Sequence, residues 1–154
     1  MFETAPKIPA ESDSHTPYRT FEDLETYQAA RNFRKSIYQA VKTLPETEKF
    51  GLASQMRRAS VSLTNNIAEG HGRYHFLDQI KFMLNSRGSL EELIDDLNVC
   101  EDENYLPREQ INIMREQSWN VHRILNGYIR YLRSRIESSS RVQESPSDLE
   151  AYAS

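Results

Sequence analysis

Four segments of the chain carry apolar residues at spacings of three and four, the period that gathers side chains on one face of an α-helix. The first segment spans about residues 21–44, with Thr20 as a candidate N-cap and Pro45 just after its end. The second spans about residues 47–69 and is followed by two glycines. The apolar positions of these two segments are Ala30, Phe33, Ile37, Ala40, Leu44, Leu52, Met56, Ala59, Leu63 and Ile67.

The third segment begins near residue 74 and ends between residues 99 and 104, and the fourth runs from Pro107 to about residue 136. Proline suits the first turn of a helix, where the backbone N–H has no partner within the helix. Gly88 lies inside the third segment, at a cost of about 1 kcal/mol relative to alanine unless close packing compensates. The apolar positions are Phe76, Ile80, Met83, Leu90, Ile94, Leu97, Ile111, Met114, Val121, Leu125, Tyr128 and Leu132.

Short connections between long amphipathic helices make consecutive helices antiparallel neighbours. The pattern therefore predicts an all-α fold, an antiparallel up-down-up-down four-helix bundle over residues 20–137. Residues 1–19 and 138–154 are rich in proline, serine and charge and poor in apolar residues, so we expect two disordered tails.

Composition narrows the classes of protein to be considered. Hydrophobic residues make up 38% of the chain, enough for one core, and no apolar run reaches the length of a membrane span. We therefore expect a cytoplasmic protein that does not enter a membrane. The single cysteine, Cys100, lies in the helical apolar pattern beside acidic residues, which indicates a core position rather than a reactive thiol.

The net charge of −4 does not favour binding of nucleic acid by the whole protein, but the charge is unevenly distributed. Residues 77–103 contain eight acidic side chains, and residues 108–135 contain six arginines. Charge is therefore segregated between the third and fourth helices.

Two stretches, residues 50–73 and residues 82–93, carry motifs that can be recognised. The first reads Phe-Gly-Leu-Ala-Ser-Gln-Met-Arg-Arg-Ala-Ser-Val-Ser at residues 50–62 and Asn-Ile-Ala-Glu-Gly-His-Gly-Arg at residues 66–73. The second includes Arg-Gly-Ser-Leu-Glu-Glu-Leu at residues 87–93. Together they resemble the bacterial four-helix-bundle proteins encoded in intervening sequences of large-subunit ribosomal RNA genes. The accessory variability determinant of diversity-generating retroelements is related to that family.

This resemblance implies a homo-oligomer, commonly a barrel-like pentamer, that has no catalytic activity. For the retroelement relatives it also implies binding to a reverse transcriptase and to nucleic acid. We therefore expect an oligomeric scaffold that binds a protein partner, such as a reverse-transcriptase-like enzyme. The alternative is direct binding of RNA or DNA through clustered arginines.

The motif residues of the second and third helices have two interpretations. Arg58, Asn66, Glu69 and Glu92 can form a hydrogen-bonded set that fixes the register of the two helices, with Gly70, Gly88 and Ser89 as further structural positions. This interpretation places residues 57–58 close to residues 87–89. Alternatively, Arg57, Arg58 and Arg73 reach a phosphate or an acidic partner.

The arginines of the fourth helix have three interpretations. Arg108, Arg115, Arg123 and Arg130 share a face, with Arg133 one turn beyond. They can form a solvated face, meet the acidic third helix of a neighbouring subunit, or bind phosphates. The extra apolar residues of this helix favour association between subunits, because a solitary bundle buries only one face. These residues are Ile113, Ile124, Ile129 and Tyr131.

Signals for catalysis are weak. His71 and His75 are four residues apart and Glu69 is near, which is a possible metal-ligand spacing, but the glycines at 70 and 72 disfavour a helix there. The chain contains no glycine-rich phosphate loop, paired CxxC motif or nucleophile motif. We expect neither an enzyme nor a bound metal or cofactor.

Overall fold

A computed structural model describes residues 20–143, and it describes side chains as far as residue 140. Four α-helices account for most of this part of the chain, and it contains no strand. They are α1 (Glu25–Val41), α2 (Leu52–His71), α3 (Phe76–Asp102) and α4 (Arg108–Gln143). The all-α, four-helix prediction is confirmed. The predictions for residues 1–19 and 144–154 lie outside the described residues.

The four helices enclose one core, and each helix packs against two others. Nearly all the apolar positions that the periodicity indicated are buried, and Cys100 is buried with them. Leu44, Phe76, Ile94 and Tyr128 are only partly buried and pack around the edge of the core. The helical period therefore selected the correct face of each helix.

α1 begins later than the sequence predicted. Residues Phe21–Asp23 form a short 3₁₀ turn, Leu24 is extended, and the α-helix starts at Glu25. The side chain of Thr20 makes no capping hydrogen bond, so the predicted N-cap is wrong. The turn instead carries Phe21 into edge-to-face contact with Tyr27, at 4.9 Å between ring centroids.

The connection between α1 and α2 contains a second 3₁₀ turn, Glu46–Glu48, so α2 begins at Leu52 rather than near Thr47. The carboxylate of Glu48 accepts a hydrogen bond from the backbone N–H of Leu52 at 2.9 Å. An acidic side chain at this end of a helix satisfies a free N–H group and favours the positive end of the helix dipole. Glu48 therefore caps the start of α2 from the preceding 3₁₀ turn.

α2 continues through Gly70, where the sequence predicted its end. Gly70 is buried against α3, and a Cβ atom at this position would lie 2.7 Å from Cβ of Phe82 and 2.8 Å from Cε of Met83. The glycine therefore permits close approach of the two helices and does not terminate the first. The helix ends only at His71, with Gly72 at its C-cap.

Because α2 ends later than the sequence predicted, the chain reversal between α2 and α3 also lies later in the sequence. The contacting pairs are Gln55 with Asp96, Arg58 with Glu92, and Ser62 with Ser89, and the midpoint of each pair falls near residue 75. The register predicted from the sequence places residues 57–58 close to residues 87–89, which requires a reversal about three residues earlier. That register is wrong because Gly70 and His71 continue α2 by about half a turn and the reversal lies later in the chain.

α4 continues to Gln143, although the sequence predicted a disordered tail from residue 138. Each hydroxyl of Ser138, Ser139 and Ser140 donates a hydrogen bond to the carbonyl oxygen four residues earlier, at 3.0, 2.9 and 3.1 Å. Serine hydroxyls can bond in this way within a helix, and the serine run therefore does not interrupt it. α4 is thus the longest of the four helices.

Candidate partner-binding surface

The outer surface of α4 exposes large apolar side chains although its inner face is fully packed. Ile113, Trp119 and Tyr131 are 54%, 59% and 54% exposed. Ile124 is half-buried. Ile129, which the sequence analysis assigned to the second face, is buried in the core, so that assignment is wrong. It lies one turn after the buried Leu125 and belongs to the inner stripe.

The basic and acidic stretches meet within the chain at one end of the α3–α4 interface. Arg115 forms an ion pair with Glu101, and its Nη2 also donates a hydrogen bond to Oδ1 of Asn98 at 2.9 Å. Both partners of Arg115 belong to α3 of the same chain. Arg115 is therefore already paired within its own chain, and contact with the acidic helix of a neighbouring subunit stays a prediction for the other arginines of the row.

The other arginines of α4 remain exposed. Nη2 of Arg123 donates a hydrogen bond to Oδ1 of Asn120 at 2.8 Å, within the same helix. Arg108, Arg130 and Arg133 are exposed, and within residues 20–140 none of them is paired with a carboxylate. The arginines of the predicted row that a partner can contact are therefore Arg108, Arg123, Arg130 and Arg133.

The predicted polar set on α2 and α3 separates into one pair between the two helices and one pair near the end of α2. Arg58 approaches Glu92 at 4.0 Å, and both side chains are largely exposed. Arg73 pairs with Glu69 one turn away at 2.9 Å and lies over the ring of Phe82. An exposed ion pair contributes at most about 1 kcal/mol.

Asn66 and Arg57 also bond locally. The amide of Asn66 donates hydrogen bonds to Ser62 of its own helix. Nη2 of Arg57 contacts the carbonyl oxygen of Lys49 at 3.4 Å. Of the predicted register-fixing set, Arg58 and Glu92 approach each other between α2 and α3, whereas Asn66 and Glu69 make their contacts within α2.

The polar contacts that join the helices involve other residues, most of which the sequence reasoning did not select. Ser86 donates a hydrogen bond to the carbonyl oxygen of Leu63 at 2.6 Å, and the hydroxyls of Ser62 and Ser89 are 2.9 Å apart. Among the predicted structural residues of the described chain, Ser89 forms such a hydrogen bond, and Glu92 approaches Arg58 across the same two helices. Nη1 of Arg34 donates to Oγ1 of Thr64 at 2.7 Å, linking α1 to α2. The serine and threonine residues at helical spacing were the feature of the sequence that could have indicated these contacts between helices.

A second polar chain joins α3 to α4. Nη1 of Arg87 donates to Oδ1 of Asn126, whose amide nitrogen lies 2.9 Å from Nδ1 of His122. Nε2 of the same histidine lies 2.8 Å from a carboxylate oxygen of Glu91. Because Oδ1 of Asn126 accepts from Arg87, its amide nitrogen faces His122, which leaves Nε2–H to donate to Glu91. His122 has no carboxylate at helical spacing, so only the fold supplies this partner.

Asp96 is a buried carboxylate at the α2–α3 interface and is 3% exposed. Its Oδ1 accepts a hydrogen bond from Nε2 of Gln55 at 3.0 Å, and its Oδ2 has no partner. Burial raises the pKa of Asp96 to about 6, and the negative charges of Glu92 and Asp95 contribute to the increase. Burial also raises the pKa of the Cys100 thiol to about 11, and Asp96 adds to this effect. Cys100 is therefore a core residue and not a nucleophile.

The possible metal ligands do not converge. His71 ends α2, and His75 is exposed at the N-cap of α3. Within the described residues no group of three or more histidine, cysteine, aspartate or glutamate side chains is arranged to hold a metal ion. None of the four helices, over residues 20–143, combines the length and the apolarity that a membrane crossing requires.

Gly88, which lies in the motif of α3, has no close neighbour in the chain. It is exposed, and a Cβ atom there would meet no heavy atom within 4 Å. We expect Gly88→Ala to raise the free energy of unfolding by about 1 kcal/mol, because alanine restricts the unfolded chain and favours the helix. Urea unfolding followed by circular dichroism would measure this change. A loss of stability at low protein concentration would contradict it.

Three comparisons with known proteins bear on the fold and the family. A family model described as 23S rRNA-intervening sequence protein matches residues 22–127. A crystal structure of a protein of unknown function from the S23 ribosomal protein family of Bacteroides thetaiotaomicron is similar to this chain, with a TM-score of 0.64. The two sequences are 22% identical, over 68% of this chain and 95% of the other, and this likeness concerns the fold alone. Among curated proteins, no sequence matches this chain.

Proposed function

We propose, since this chain belongs to the family of 23S rRNA-intervening sequence proteins, that it is a non-enzymatic cytosolic scaffold that associates with itself and binds a nucleic-acid-handling enzyme. The relationship between this family and the accessory determinant of diversity-generating retroelements makes a reverse-transcriptase-like enzyme our proposed partner. We also infer that the helices run up-down-up-down, each antiparallel to the next. The residue numbers of the contacting side chains increase along α2, from Gln55 to Ser62, while those of their partners on α3 decrease from Asp96 to Ser89. This order supports an antiparallel arrangement of these two helices.

The observation that carries the proposal is the outer surface of α4. A helix that had to be buried on one face only would carry polar residues on the other. On α4, Ile113 and Tyr131 remain more than half exposed while Met114, Leu125 and Leu132 fill the core. Exposed apolar surface on an otherwise charged helix is typical of an interface between proteins.

The charge of the surface supports a partner as well as self-association. Arg123, Arg130 and Arg133 are exposed and have no carboxylate partner among the described residues. Because the whole chain carries a net charge of −4, a general attraction to nucleic acid is weak. A local set of arginines on an acidic protein fits an acidic protein surface better than it fits a long stretch of phosphates.

The mass of the protein in solution tests self-association. We expect light scattering at micromolar concentration to report an integral multiple of 18.0 kDa, the mass of one chain. A pentamer, as the family resemblance implies, would weigh five times that value. A monomer at every concentration up to about 100 μM would contradict the proposed scaffold.

A gel-shift series over salt concentration separates the scaffold from a direct nucleic-acid-binding protein. The scaffold predicts no complex with structured RNA or duplex DNA at 50 mM salt. Binding that weakens steeply with salt would instead favour phosphate contacts by the arginines. The variant Arg123→Gln with Arg130→Gln would then abolish the shift, and Arg31→Gln, which changes an exposed arginine of α1, would serve as the control away from α4.

A further inference from the structure

Four polar side chains, which we call the polar bridge, connect α3 to α4 near the surface of the bundle. Nη1 of Arg87 donates a hydrogen bond to Oδ1 of Asn126 at 3.0 Å. The amide nitrogen of Asn126 lies 2.9 Å from Nδ1 of His122, and Nε2 of His122 lies 2.8 Å from a carboxylate oxygen of Glu91. The polar bridge therefore begins and ends on α3, and the imidazole ring of α4 is in its middle.

Each hydrogen bond of the polar bridge has a fixed direction. Arginine has only donors and stays charged, so the side-chain oxygen of Asn126 must face Arg87 and its amide NH₂ group must face His122. Nδ1 of His122 then carries no proton and accepts from Asn126, while Nε2–H donates to Glu91. The polar bridge is therefore complete only when the His122 ring is neutral.

A second proton on the His122 ring can bind only to Nδ1, the atom that accepts from Asn126. The charged ring then presents an N–H donor to Asn126 as well as to Glu91. Arg87 and His122 lie at the two ends of the Asn126 amide, so its single oxygen can face only one of them. The NH₂ group then faces the other donor. One of the two hydrogen bonds of Asn126 must therefore break when the ring becomes charged.

We propose that the polar bridge is a proton-controlled switch, in which protonation of His122 turns the Asn126 amide and releases Arg87 from α4. The new Nδ1–H needs an acceptor, and Asn126 is the residue at that atom. Arg87 has other acceptors, because its side chain is only half-buried and Glu91 lies four residues ahead on the same helix, a favourable spacing for opposite charges. Glu91 holds the ring in both states, since it accepts from Nε2–H in each.

The charged groups around His122 come from α3 and from its own helix. From α3, Glu91 faces the ring directly and Arg87 faces it through Asn126. On α4, Arg115 lies two turns away on the same side and is itself ion-paired with α3. α1 packs along the opposite side of α4, so its charged side chains there do not face the ring. They are Glu25 and Lys35.

The switch operates in the range in which histidine side chains ordinarily change charge, between about pH 5 and pH 8. Guanidinium and carboxylic acid groups ordinarily titrate outside this range, so the imidazole is the variable member of the polar bridge. Its protonation removes a charged hydrogen bond between α3 and α4 and adds one positive charge to α4. The switch lies within one chain and depends neither on self-association nor on a partner. Failure of the proposed scaffold would therefore leave it intact.

A double-mutant cycle at pH 8 and pH 5 tests the release of Arg87. Urea unfolding of Arg87→Ala, Asn126→Ala and the double variant gives the coupling between the two side chains. At pH 8 we expect a coupling of about tenfold in the unfolding equilibrium constant, as for a hydrogen bond to a charged group. At pH 5 it should fall below about twofold. Titration of Asp96 contributes equally to all four proteins and cancels. Equal coupling at both pH values would overturn the switch.

Two variants serve as controls for the role of His122. In His122→Gln, an amide supplies the same acceptor and donor but takes up no proton, so the coupling should be equal at pH 5 and pH 8. In Asn126→Asp, two oxygens can accept from Arg87 and from Nδ1–H together, so coupling to Arg87 should persist at pH 5. Loss of coupling at pH 5 in either variant would overturn the proposal.

Nitrogen-15 NMR of the imidazole ring gives an independent readout of its protonation. The His122 signals should show a ring that is neutral at pH 8, with the proton on Nε2, and charged at pH 5. A ring that stays in one state between these pH values would also overturn the switch.

Discussion

Replacing Gly70 by alanine should lower the free energy of unfolding by about 2 kcal/mol, although alanine is the better helix former. The added Cβ would lie 2.7 Å from Cβ of Phe82, which is fixed to the backbone of α3 and cannot rotate away. The contact with Cε of Met83, at 2.8 Å, is the end of a flexible side chain and can be relieved. α2 and α3 must therefore move apart, and the packing around Leu63 and Met83 must loosen. Urea or thermal unfolding would measure the loss.

Gly72→Ala is the matched control, two residues farther along the chain. A Cβ at Gly72 would meet only backbone oxygen atoms at 3.5 and 3.9 Å, which are ordinary contact distances. Its free energy of unfolding should therefore change little. If Gly70→Ala were as stable as the original protein, the close approach of α2 to α3 at this glycine would be contradicted.

The pH dependence of stability should change when Asp96 becomes asparagine. The pKa of Asp96 is raised to about 6 in the folded chain from its ordinary value of 3.8, because burial and the nearby acidic groups penalise its charge. For an acid whose folded pKa is raised, stability is fully present below the unfolded pKa and is lost as the pH rises through the folded pKa. The full difference corresponds to about 3 kcal/mol.

We expect Asp96→Asn to remove this loss while its side-chain oxygen still accepts the hydrogen bond from Gln55. Between pH 5 and pH 8, the variant should gain about 1–2 kcal/mol in free energy of unfolding relative to the original protein. Urea unfolding at several pH values would measure this gain. The control is Asp95→Asn, which changes the exposed neighbour and should preserve most of the original pH dependence. Equal pH profiles for the original protein and Asp96→Asn would show that the carboxylate does not titrate in this range.

The burial pattern of the fold could be predicted from the sequence because burial follows helical period. Phe33, Leu63, Leu97 and Leu125 were each assigned to an inner face from spacing alone, and each is buried. The position of Cys100 within the same pattern predicted a core thiol, and the thiol is buried. The motifs of α2 and α3 led to the family by resemblance, and the match over residues 22–127 confirms that family.

The relative positions of the helices could not be predicted in the same way. The spacing of apolar residues along a helix indicates which side chains face the core. It does not indicate how far one helix is displaced along its neighbour. A glycine that follows an apolar helical pattern usually indicates the end of the helix, and Gly70 is such a glycine. Only the short distance between its position and Phe82 shows that Gly70 instead permits α2 and α3 to pack closely. For the same reason the partners of Arg115 and His122, which lie on α3, could not be assigned in advance.

By itself, the sequence determined four amphipathic helices, the residues of their common core and the family to which the chain belongs. Only the tertiary structure decided that Ile129 is buried, that Asp96 carries a buried and incompletely paired carboxylate, and that apolar side chains on the outer surface of α4 remain exposed. The reason is physical, since local spacing is a property of a single helix. Burial of a polar group and exposure of an apolar one depend on the rotation and displacement of neighbouring helices.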